Sequence, residues 1–310
     1  MRLKNVLPTI GGLIIVLTIL WLVFFHGRTA QAPHLPVGNV SEAQAFLLPL
    51  SEATYLPIRD FNRPDPVLDA KAAGLYDVSS GKWLYGHNVD QRLPIASITK
   101  LMTAVVIVEN LPLNDSYTVS AEDLNVDGTG SDLVRGEQIK GGDLLKVMLI
   151  KSSNDAALTF ADRAHQLGID LVGKMNDKAK TLGMLDTHFA DPAGLEDTSG
   201  YSTVGDLVRL TRYIDRYPLI WEILTTRLAD VSSIDGRYQH HLTTTDRLLE
   251  QLDNIIGGKT GYTDGALETM VLQVKITEHQ TKLISVILGS HDRFSETKKL
   301  IDWGLSAYRW

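Results

Sequence analysis

The stretch LPIASITKLMTA, residues 93–104, places Ser97 and Lys100 three residues apart in an otherwise apolar segment. Residues three apart on an α-helix lie on one face within side-chain reach, so the serine hydroxyl and the lysine amine can share a hydrogen bond. A serine hydroxyl is a poor nucleophile at neutral pH. An amine one helical turn away can act as its base if burial and other cations keep that amine neutral. The stretch therefore predicts a helix that carries a nucleophile and its base.

The composition of the whole chain limits the chemistry to which this helix can belong. The chain has 310 residues, 44% of them hydrophobic and 22% charged, which is enough to bury a sizeable core in one large domain or two smaller ones. Basic residues number 30 against 37 acidic ones, and no long basic run occurs, so nucleic acid is not expected as a partner. There is no cysteine, and the nine histidines form no HExxH pattern, so we predict neither a disulfide nor a metal site.

The N-terminus carries an uncharged run, VLPTIGGLIIVLTILWLVFF, at residues 6–25, which follows Arg2 and Lys4. It is long enough to cross about 30 Å of hydrocarbon and longer than the core of a signal peptide, about 15 residues. Because the positive flank stays inside, residues 1–5 are predicted to be cytoplasmic and the chain beyond the anchor to lie outside the cytoplasm. The leading prediction is an anchor that is not cleaved. The alternative is a signal peptide that is removed after TAQA, residues 29–32, although Pro33 would hinder that cleavage.

The remaining chain divides into a tether and a folded domain. Six of the eleven prolines fall between residues 33 and 66, which predicts an extended tether over residues 26–66. Strand-like patterns occur at both ends of the remainder, at residues 70–78, 79–86, 268–276 and 281–290. Apolar spacing near 3.6 predicts helices at residues 141–150, 153–168, 171–184, 202–217 and 295–308. Residues 67–310 are therefore predicted to form an α+β domain, in which an antiparallel sheet built from both termini is flanked by helices and carries an inserted helical subdomain.

Two further short motifs follow the Ser-x-x-Lys pair along the chain. They are S-x-N at Ser152–Asn154 and K-T-G at Lys259–Gly261. Each motif alone is more often a cap or a turn than a site. Their order and spacing, taken together with the first pair, indicate a common active site.

The three motifs and their flanking segments resemble the low-molecular-mass penicillin-binding proteins of the D-alanyl-D-alanine carboxypeptidase family. The resemblance covers about residues 67–310 and rests on the segments GKWLYGHNVDQRLPIASITKLMTA, LVRGEQIKGGDLLKVMLIKSSNDAA, AKTLGMLDTHFADPAGL, YSTVGDLVRL and GGKTGYT. It implies the β-lactamase/penicillin-binding transpeptidase-like fold and a serine D,D-peptidase without a cofactor.

The resemblance also implies four catalytic roles. Ser97 would attack the carbonyl of a D-Ala-D-Ala bond, form an acyl-enzyme and release the terminal D-alanine, with Lys100 as its base. Ser152 would relay a proton toward the leaving nitrogen, and Asn154 would hydrogen-bond the substrate and the base.

Five substrate-binding positions follow from the same resemblance. Lys259 and Thr260 would hold the terminal carboxylate, and Gly261 would let the substrate strand come close. The backbone N–H groups of the nucleophile and of Tyr262 would form the oxyanion hole. The segment GSHDRFSETKKLIDWG resembles the family segment whose arginine helps to bind the carboxylate, which implies that role for Arg293.

Some positions depart from the family pattern. Ser153 stands in the S-x-N motif where glycine is usual, Leu267 where glycine is common, and Ala193 where many members have histidine.

The two motif lysines are expected to differ in charge. The pKa of Lys100 should be low enough for it to act as a base, whereas Lys259 should stay protonated to attract the carboxylate.

Carboxypeptidase action on peptidoglycan stem peptides is the leading hypothesis, with D,D-endopeptidase action on cross-links close behind. A class A-like β-lactamase would need a glutamate to activate water, and the stretch TLGMLDTHFADPAGL offers no convincing one. A non-catalytic penicillin sensor or wall-binding module is the alternative outside enzymes.

The expected location is the outer face of a bacterial cytoplasmic membrane, with β-lactam antibiotics as covalent inhibitors. The β-rich C-terminal domain of some relatives is expected to be missing.

Overall fold

The computed structural model describes residues 56–124, 133–195, 199–276 and 281–310. The strands in these ranges are β1 (Ile58–Arg59), β2 (Ala70–Asp77), β3 (Lys82–His87), β4 (Ser116–Thr118), β5 (Gln138–Lys140), β6 (Leu228–Ser232), β7 (Gln239–Thr243), β8 (Ile255–Thr263), β9 (Leu267–Ile276), β10 (Thr281–Ser290) and β11 (Tyr308–Arg309). The α-helices are α1 (Thr99–Asn110), α2 (Gly141–Ile150), α3 (Asn154–Gln166), α4 (Leu171–Thr181), α5 (Val204–Ile214), α6 (Pro218–Thr225) and α7 (Arg293–Ala307). Short 3-10 helices cover Ala96–Ile98 and Arg247–Glu250.

The central sheet has the strand order β3-β2-β10-β9-β8, and every neighbouring pair is antiparallel. Strands β2 and β3 come from the N-terminal part of the domain and β8 to β10 from its C-terminal part. The two parts meet where β2 pairs with β10, for example at Gly74 opposite Val286. The prediction of one antiparallel sheet built from both termini is confirmed, and β8, which carries the K-T-G motif, is an edge strand.

Helices cover both faces of this sheet. Along β10 the buried side chains alternate between the faces, as the period of two in a strand requires. Ile284 and Val286 belong to the core shared with the helical subdomain, whereas Leu283 and Ile287 pack with Leu300 of α7 on the opposite face. The α+β architecture with helices on both sides therefore follows from the apolar residues on both faces of β10.

Helix α1 lies in the middle of the helical region. Its first nine residues, 99–107, are all buried, so the helix has no solvated face over most of its length. The predicted helices at residues 141–150 and 153–168 are present as α2 and α3 and pack against each other beside α1. This arrangement surrounds the first turn of α1 with protein and removes its side chains from water.

Part of the segment assigned to the tether packs on the domain. Strand β1 pairs with β11, the Trp303 indole N–H donates to the Pro64 carbonyl at 2.7 Å, and the Arg59 guanidinium lies 4.5 Å from the centre of the Trp303 ring.

The predicted anchor at residues 6–25 lies outside the described residues. Among the residues that the structure does describe, no helix has the length and apolarity needed to cross a bilayer.

Candidate active site

The Ser-x-x-Lys pair spans the junction between two kinds of helix. Ser97 lies in the 3-10 turn Ala96–Ile98, and Lys100 lies in the first turn of α1. The Lys100 amine is 2.8 Å from the Ser97 hydroxyl oxygen, so the contact expected for residues three apart is made although only the lysine is α-helical. Ser97 itself is partly exposed, whereas Lys100 is fully buried. The hydroxyl therefore faces accessible space and the amine faces the core.

Burial determines the charge of Lys100. Its amine has two more partners, the side-chain oxygen of Asn154 at 2.7 Å and the backbone carbonyl of Ala193 at 2.7 Å. Burial lowers the pKa of Lys100 to about 7, against the opposing effect of the carboxylates of Asp191 and Asp155. A neutral amine has two hydrogens and one lone pair, and both carbonyl oxygens can only accept. The lone pair is thus left for the Ser97 hydroxyl proton, which is the arrangement of a general base.

The S-S-N motif contributes two different functions to the site. Ser152 is buried and has a φ of +62°, a left-handed conformation that costs a non-glycine residue about 1–2 kcal/mol. Ser153 caps α3, because its hydroxyl accepts the Ala156 N–H at 3.0 Å. The serine that replaces the usual glycine therefore starts the helix whose first residue, Asn154, reaches the Lys100 amine.

Lys259 approaches Ser152 from β8, across a sequence separation of 107 residues, and donates to the Ser152 hydroxyl at 2.7 Å and to the Thr260 carbonyl at 2.8 Å. Burial lowers the pKa of Lys259 well below its ordinary value, and the neighbouring Lys100 and Arg293 lower it further, while Asp246 opposes them. That Lys259 stays protonated remains a prediction, against which its burial and its cationic neighbours act. Sequence could not show that this lysine is as deeply buried as the other.

Gly261 brings β8 against the nucleophile turn. A Cβ at this position would lie 3.0 Å from the Ser97 backbone nitrogen and 2.9 Å from the Ile95 carbonyl oxygen, closer than ordinary contacts. The Thr269 hydroxyl of β9 also donates to Ile95 O at 3.2 Å. Because β8 is an edge strand, alternate backbone groups of β8 point away from β9. The side chain of Tyr262 is 57% exposed and donates to Asp264 at 2.9 Å.

Cationic and hydroxyl groups lie next to the K-T-G strand. Arg293, the first residue of α7, donates to the Gly261 carbonyl at 2.5 Å and lies 3.7 Å from the Glu268 carboxylate. The Thr260 hydroxyl is 2.7 Å from the hydroxyl of Thr245. These groups provide positive charge and hydrogen-bond donors beside the K-T-G strand.

Several residues of the site were not identified by sequence reasoning. The Ala193 group that contacts Lys100 is a backbone carbonyl, which leaves no mark on residue type. Thr245 lies in the run TTT, residues 243–245, with no distinguishing pattern. Asp246 is 2% exposed, and among the described residues its Oδ2 has no hydrogen-bond partner. Glu268 carries no signal in the sequence, because the departure from the family pattern lies at its neighbour Leu267.

The departure at Leu267 has a backbone explanation. Leu267 has a φ of +56°, in the region that glycine adopts without steric cost. Glycine is therefore the unstrained choice at this position, and leucine is strained at the first residue of β9.

Comparisons with known proteins place the chain in one peptidase family. The D-alanyl-D-alanine carboxypeptidase family, peptidase S11, matches residues 60–292. The D-alanyl-D-alanine carboxypeptidase DacF of Bacillus subtilis is 30% identical over 77% of this chain and 63% of its own length. A D-alanyl-D-alanine endopeptidase of Pseudomonas aeruginosa is 33% identical over 76% of this chain and 77% of its own. The chain thus spans less than two thirds of the Bacillus relative.

The solved structure of a D-alanyl-D-alanine carboxypeptidase from Mycobacterium tuberculosis superposes with a TM-score of 0.71 at 31% identity, over 78% of this chain and 93% of that one. The chain therefore has the penicillin-binding transpeptidase-like α+β fold, with an antiparallel sheet and helices. The chain is a member of the D-alanyl-D-alanine carboxypeptidase family, peptidase S11.

Proposed function

We propose that this protein is a serine-type D-Ala-D-Ala carboxypeptidase that trims peptidoglycan stem pentapeptides through an acyl-enzyme on Ser97. The observation that carries the proposal is the buried Lys100 amine, which lies 2.8 Å from the Ser97 hydroxyl and has two carbonyl oxygens as its other partners. Membership of the family and the names of the relatives support the same activity.

In the acylation step, neutral Lys100 takes the hydroxyl proton as Ser97 Oγ attacks the carbonyl carbon between the last two D-alanines. The backbone N–H groups of Ser97 and Tyr262 stabilise the charge on the carbonyl oxygen, and as fixed dipoles they need no reorganisation. The C–N bond then breaks, and the Ser152 hydroxyl, which is hydrogen-bonded to Lys259, relays to the departing nitrogen the proton that Lys100 took up, which leaves Lys100 neutral again. The terminal D-alanine leaves with a free amine, and the rest of the peptide stays esterified to Ser97.

Recognition of the free carboxylate is assigned to Lys259, Thr260 and Arg293. A carboxylate bound beside Lys259 adds the negative charge that favours the ammonium form, so binding raises the pKa of this amine against the effect of burial. Gly261 allows the substrate backbone to lie close to the free edge of β8, as an added strand does. The substrate thus supplies the charge that keeps Lys259 protonated during the reaction.

Deacylation repeats the same proton transfers with water as the nucleophile. Lys100 returns to the neutral form when the first product leaves, so it can accept a proton from a water molecule that attacks the ester carbonyl. The bond to Ser97 Oγ breaks, the hydroxyl regains its proton, and the shortened peptide is released. Asn154 holds the Lys100 amine in place for both steps.

The proposed arrangement in the cell follows the sequence. Residues 1–5 form a cytoplasmic tail, residues 6–25 a single membrane-spanning anchor, residues 26–66 a tether whose last part packs on the domain through β1 and Pro64, and residues 67–310 the catalytic domain, which acts outside the cytoplasmic membrane. The uncharged run and its positive flank support the anchor. Membrane fractionation of the full chain, followed by N-terminal sequencing, tests it, and a mature protein that begins at Pro33 would overturn it.

D,D-endopeptidase action on peptidoglycan cross-links is the second candidate. It is supported by the similarity to the Pseudomonas endopeptidase, which is 33% identical and is covered over 77% of its length. Both reactions use the same acyl donor and differ in the leaving amine. The full-length protein in detergent should be incubated separately with a stem pentapeptide and with a cross-linked dimer, and the products compared by mass.

Intact-mass analysis with penicillin tests the nucleophile. Wild-type protein should gain one drug mass that persists, and the Ser97→Ala variant should gain none. An equal adduct on Ser97→Ala would show that the nucleophile is misassigned. Rapid release of hydrolysed penicillin would instead support a β-lactamase, and a stable adduct without turnover of either peptide would support a penicillin sensor.

A further inference from the structure

A short segment, residues 190–195, runs across the nucleophile and its base and is here named the strap. It has the sequence ADPAGL. The Thr103 hydroxyl of α1 donates to the Pro192 carbonyl at 2.7 Å, and the Lys100 amine donates to the Ala193 carbonyl at 2.7 Å. A Cβ on Gly194 would overlap the carbonyl group of Ala96, so the strap also touches the turn that holds the nucleophile. The conformation of the strap therefore determines one of the three contacts of the base.

The Asp191 carboxylate organises the strap from inside. Its Oδ1 accepts the N–H groups of Ala193 at 2.7 Å and Gly194 at 2.6 Å, and both of its oxygens lie 3.2–3.3 Å from the Leu195 nitrogen. In a trans peptide the C=O of one residue points opposite to the N–H of the next. Since the Gly194 N–H points at Asp191, the Ala193 carbonyl must point away from it, toward Lys100.

The same carboxylate places a negative charge near the base. Asp191 on the strap and Asp155 on α3 both favour the protonated form of Lys100, and the Lys259 amine on β8 is the neighbouring basic group of the cluster. The contacts of the Lys100 amine with Ser97 and Asn154 are neutral. Asp191 thus opposes the effect of burial on the base.

We propose that Asp191 is a positioning residue for the nucleophile–base pair: its carboxylate turns the Ala193 carbonyl onto the Lys100 amine and holds a negative charge beside that amine. This role rests on the proposed function, because it assigns Lys100 as the base. It predicts that the hydrogen bonds and the charge of Asp191 can be separated by substitution.

The test is the rate of acylation by a fluorescent penicillin as a function of pH. Asp191→Asn keeps the Oδ1 acceptor and removes the charge, so the rate at high pH should persist while the midpoint of the acid limb moves to lower pH. An amine with a pKa of about 7 is about one-tenth neutral at pH 6, and this fraction should rise in the variant. Asp191→Ala removes the acceptor as well and should slow acylation at every pH, by about 10²-fold if the carbonyl shifts by about 1 Å.

Three variants serve as controls. Asp186→Asn removes a charge at the surface, where Asp186 pairs with Arg92 at 2.7 Å and is 47% exposed, and should leave the midpoint unchanged. Thr103→Val removes a hydrogen bond to the strap without changing charge, so the rate can fall but the midpoint should not move. Asp191→Glu keeps the charge and displaces the hydrogen bonds, so it should lower the rate with little change in the midpoint.

A readout without substrate separates this proposal from the proposed function. The pH dependence of the Lys100 ¹³Cε chemical shift reports the same titration in the unreacted protein. A lower midpoint in Asp191→Asn by this measurement supports the charge role even if the wild type takes no penicillin, which would refute only the proposed function. An unchanged midpoint in Asp191→Asn, or a wild-type acylation rate in Asp191→Ala, would overturn the proposal.

Discussion

The closeness of β8 to the nucleophile turn can be tested by adding one methyl group, in the variant Gly261→Ala. The added Cβ would lie 2.5 Å from the Thr269 hydroxyl, 2.9 Å from Ile95 O and 3.0 Å from Ser97 N, whereas ordinary contacts begin at 3.4 Å. Gly261 has no positive φ, so alanine fits the backbone conformation and the cost arises from these contacts alone. The contacts with Ile95 and Ser97 are to backbone atoms, so relief requires β8 to move away by about 0.5 Å.

The size of the effect follows from the geometry that an oxyanion requires. Donors must lie about 2.7–3.1 Å from the developing oxyanion, and a separation larger by about 0.5 Å takes one of the two donors, Ser97 N–H or Tyr262 N–H, out of that range. Loss of one donor typically lowers the rate about 10²- to 10³-fold, or about 3–4 kcal/mol of transition-state stabilisation. We therefore expect Gly261→Ala to acylate at least about 10²-fold more slowly than the wild type while remaining folded.

Stopped-flow fluorescence with a labelled penicillin measures this rate, and circular dichroism melting checks the fold. Gly205→Ala is the matched control, because a Cβ on Gly205 of α5 would meet its nearest neighbour, Val89 O, at an ordinary 3.6 Å. Alanine is also the better helix former, so this variant should keep the wild-type rate and equal or higher stability. If Gly261→Ala acylates within about threefold of the wild type, the close approach of β8 does not determine catalysis.

Three further predictions concern charge and strain. Lys100→Arg installs a guanidinium that does not deprotonate in proteins, so acylation should vanish at every pH, and an active Lys100→Arg enzyme would exclude the proposed base. Lys259→Arg should slow acylation, and Lys259→Ala should slow acylation further. Because Leu267 has a φ of +56°, urea unfolding should find Leu267→Gly more stable than Leu267→Ala by about 1 kcal/mol, the reverse of the usual order in strands. Burial raises the pKa of Asp246 to about 6, so its stabilising neutral form is fully present below about pH 4 and is lost as the pH rises through 6. Asp246→Asn should raise the free energy of unfolding by about 2–3 kcal/mol at pH 8 and leave it unchanged at pH 4, and an equal gain at both pH values would contradict this assignment.

Local sequence patterns predicted most helices of the domain because each has a continuous apolar stripe. Helix α2, Gly141–Ile150, coincides with the predicted segment. Helix α7 begins at Arg293, two residues before its predicted start, because Asp292 accepts the Ser295 N–H and so caps it. The terminal strands were also predicted, since β9 and β10 are long apolar runs. In these elements the local signal and the tertiary environment agree.

Other elements lack a local signal and depend on their partners. Strand β8 has the sequence IIGGKTGYT, whose glycines and buried lysine give no alternation of apolar and polar residues. It is extended because it pairs with β9, with Thr260 opposite Met270. The hairpin of β6 and β7 and the helix α6 were likewise not predicted. A strand formed by pairing cannot be recognised from its own residues when the partner supplies most of its stability.

The sequence by itself determined which chemical groups the protein has, the family to which it belongs and the contact between Ser97 and Lys100, because three residues on helical backbone span a fixed distance. Only the tertiary structure decided what surrounds that pair. Asn154 and the Ala193 carbonyl reach the amine across separations of 54 and 93 residues. The pKa of about 7 for Lys100 arises from burial by the whole domain. The charge of a side chain depends on solvent access and on neighbours brought together by folding, and neither quantity is encoded in local spacing.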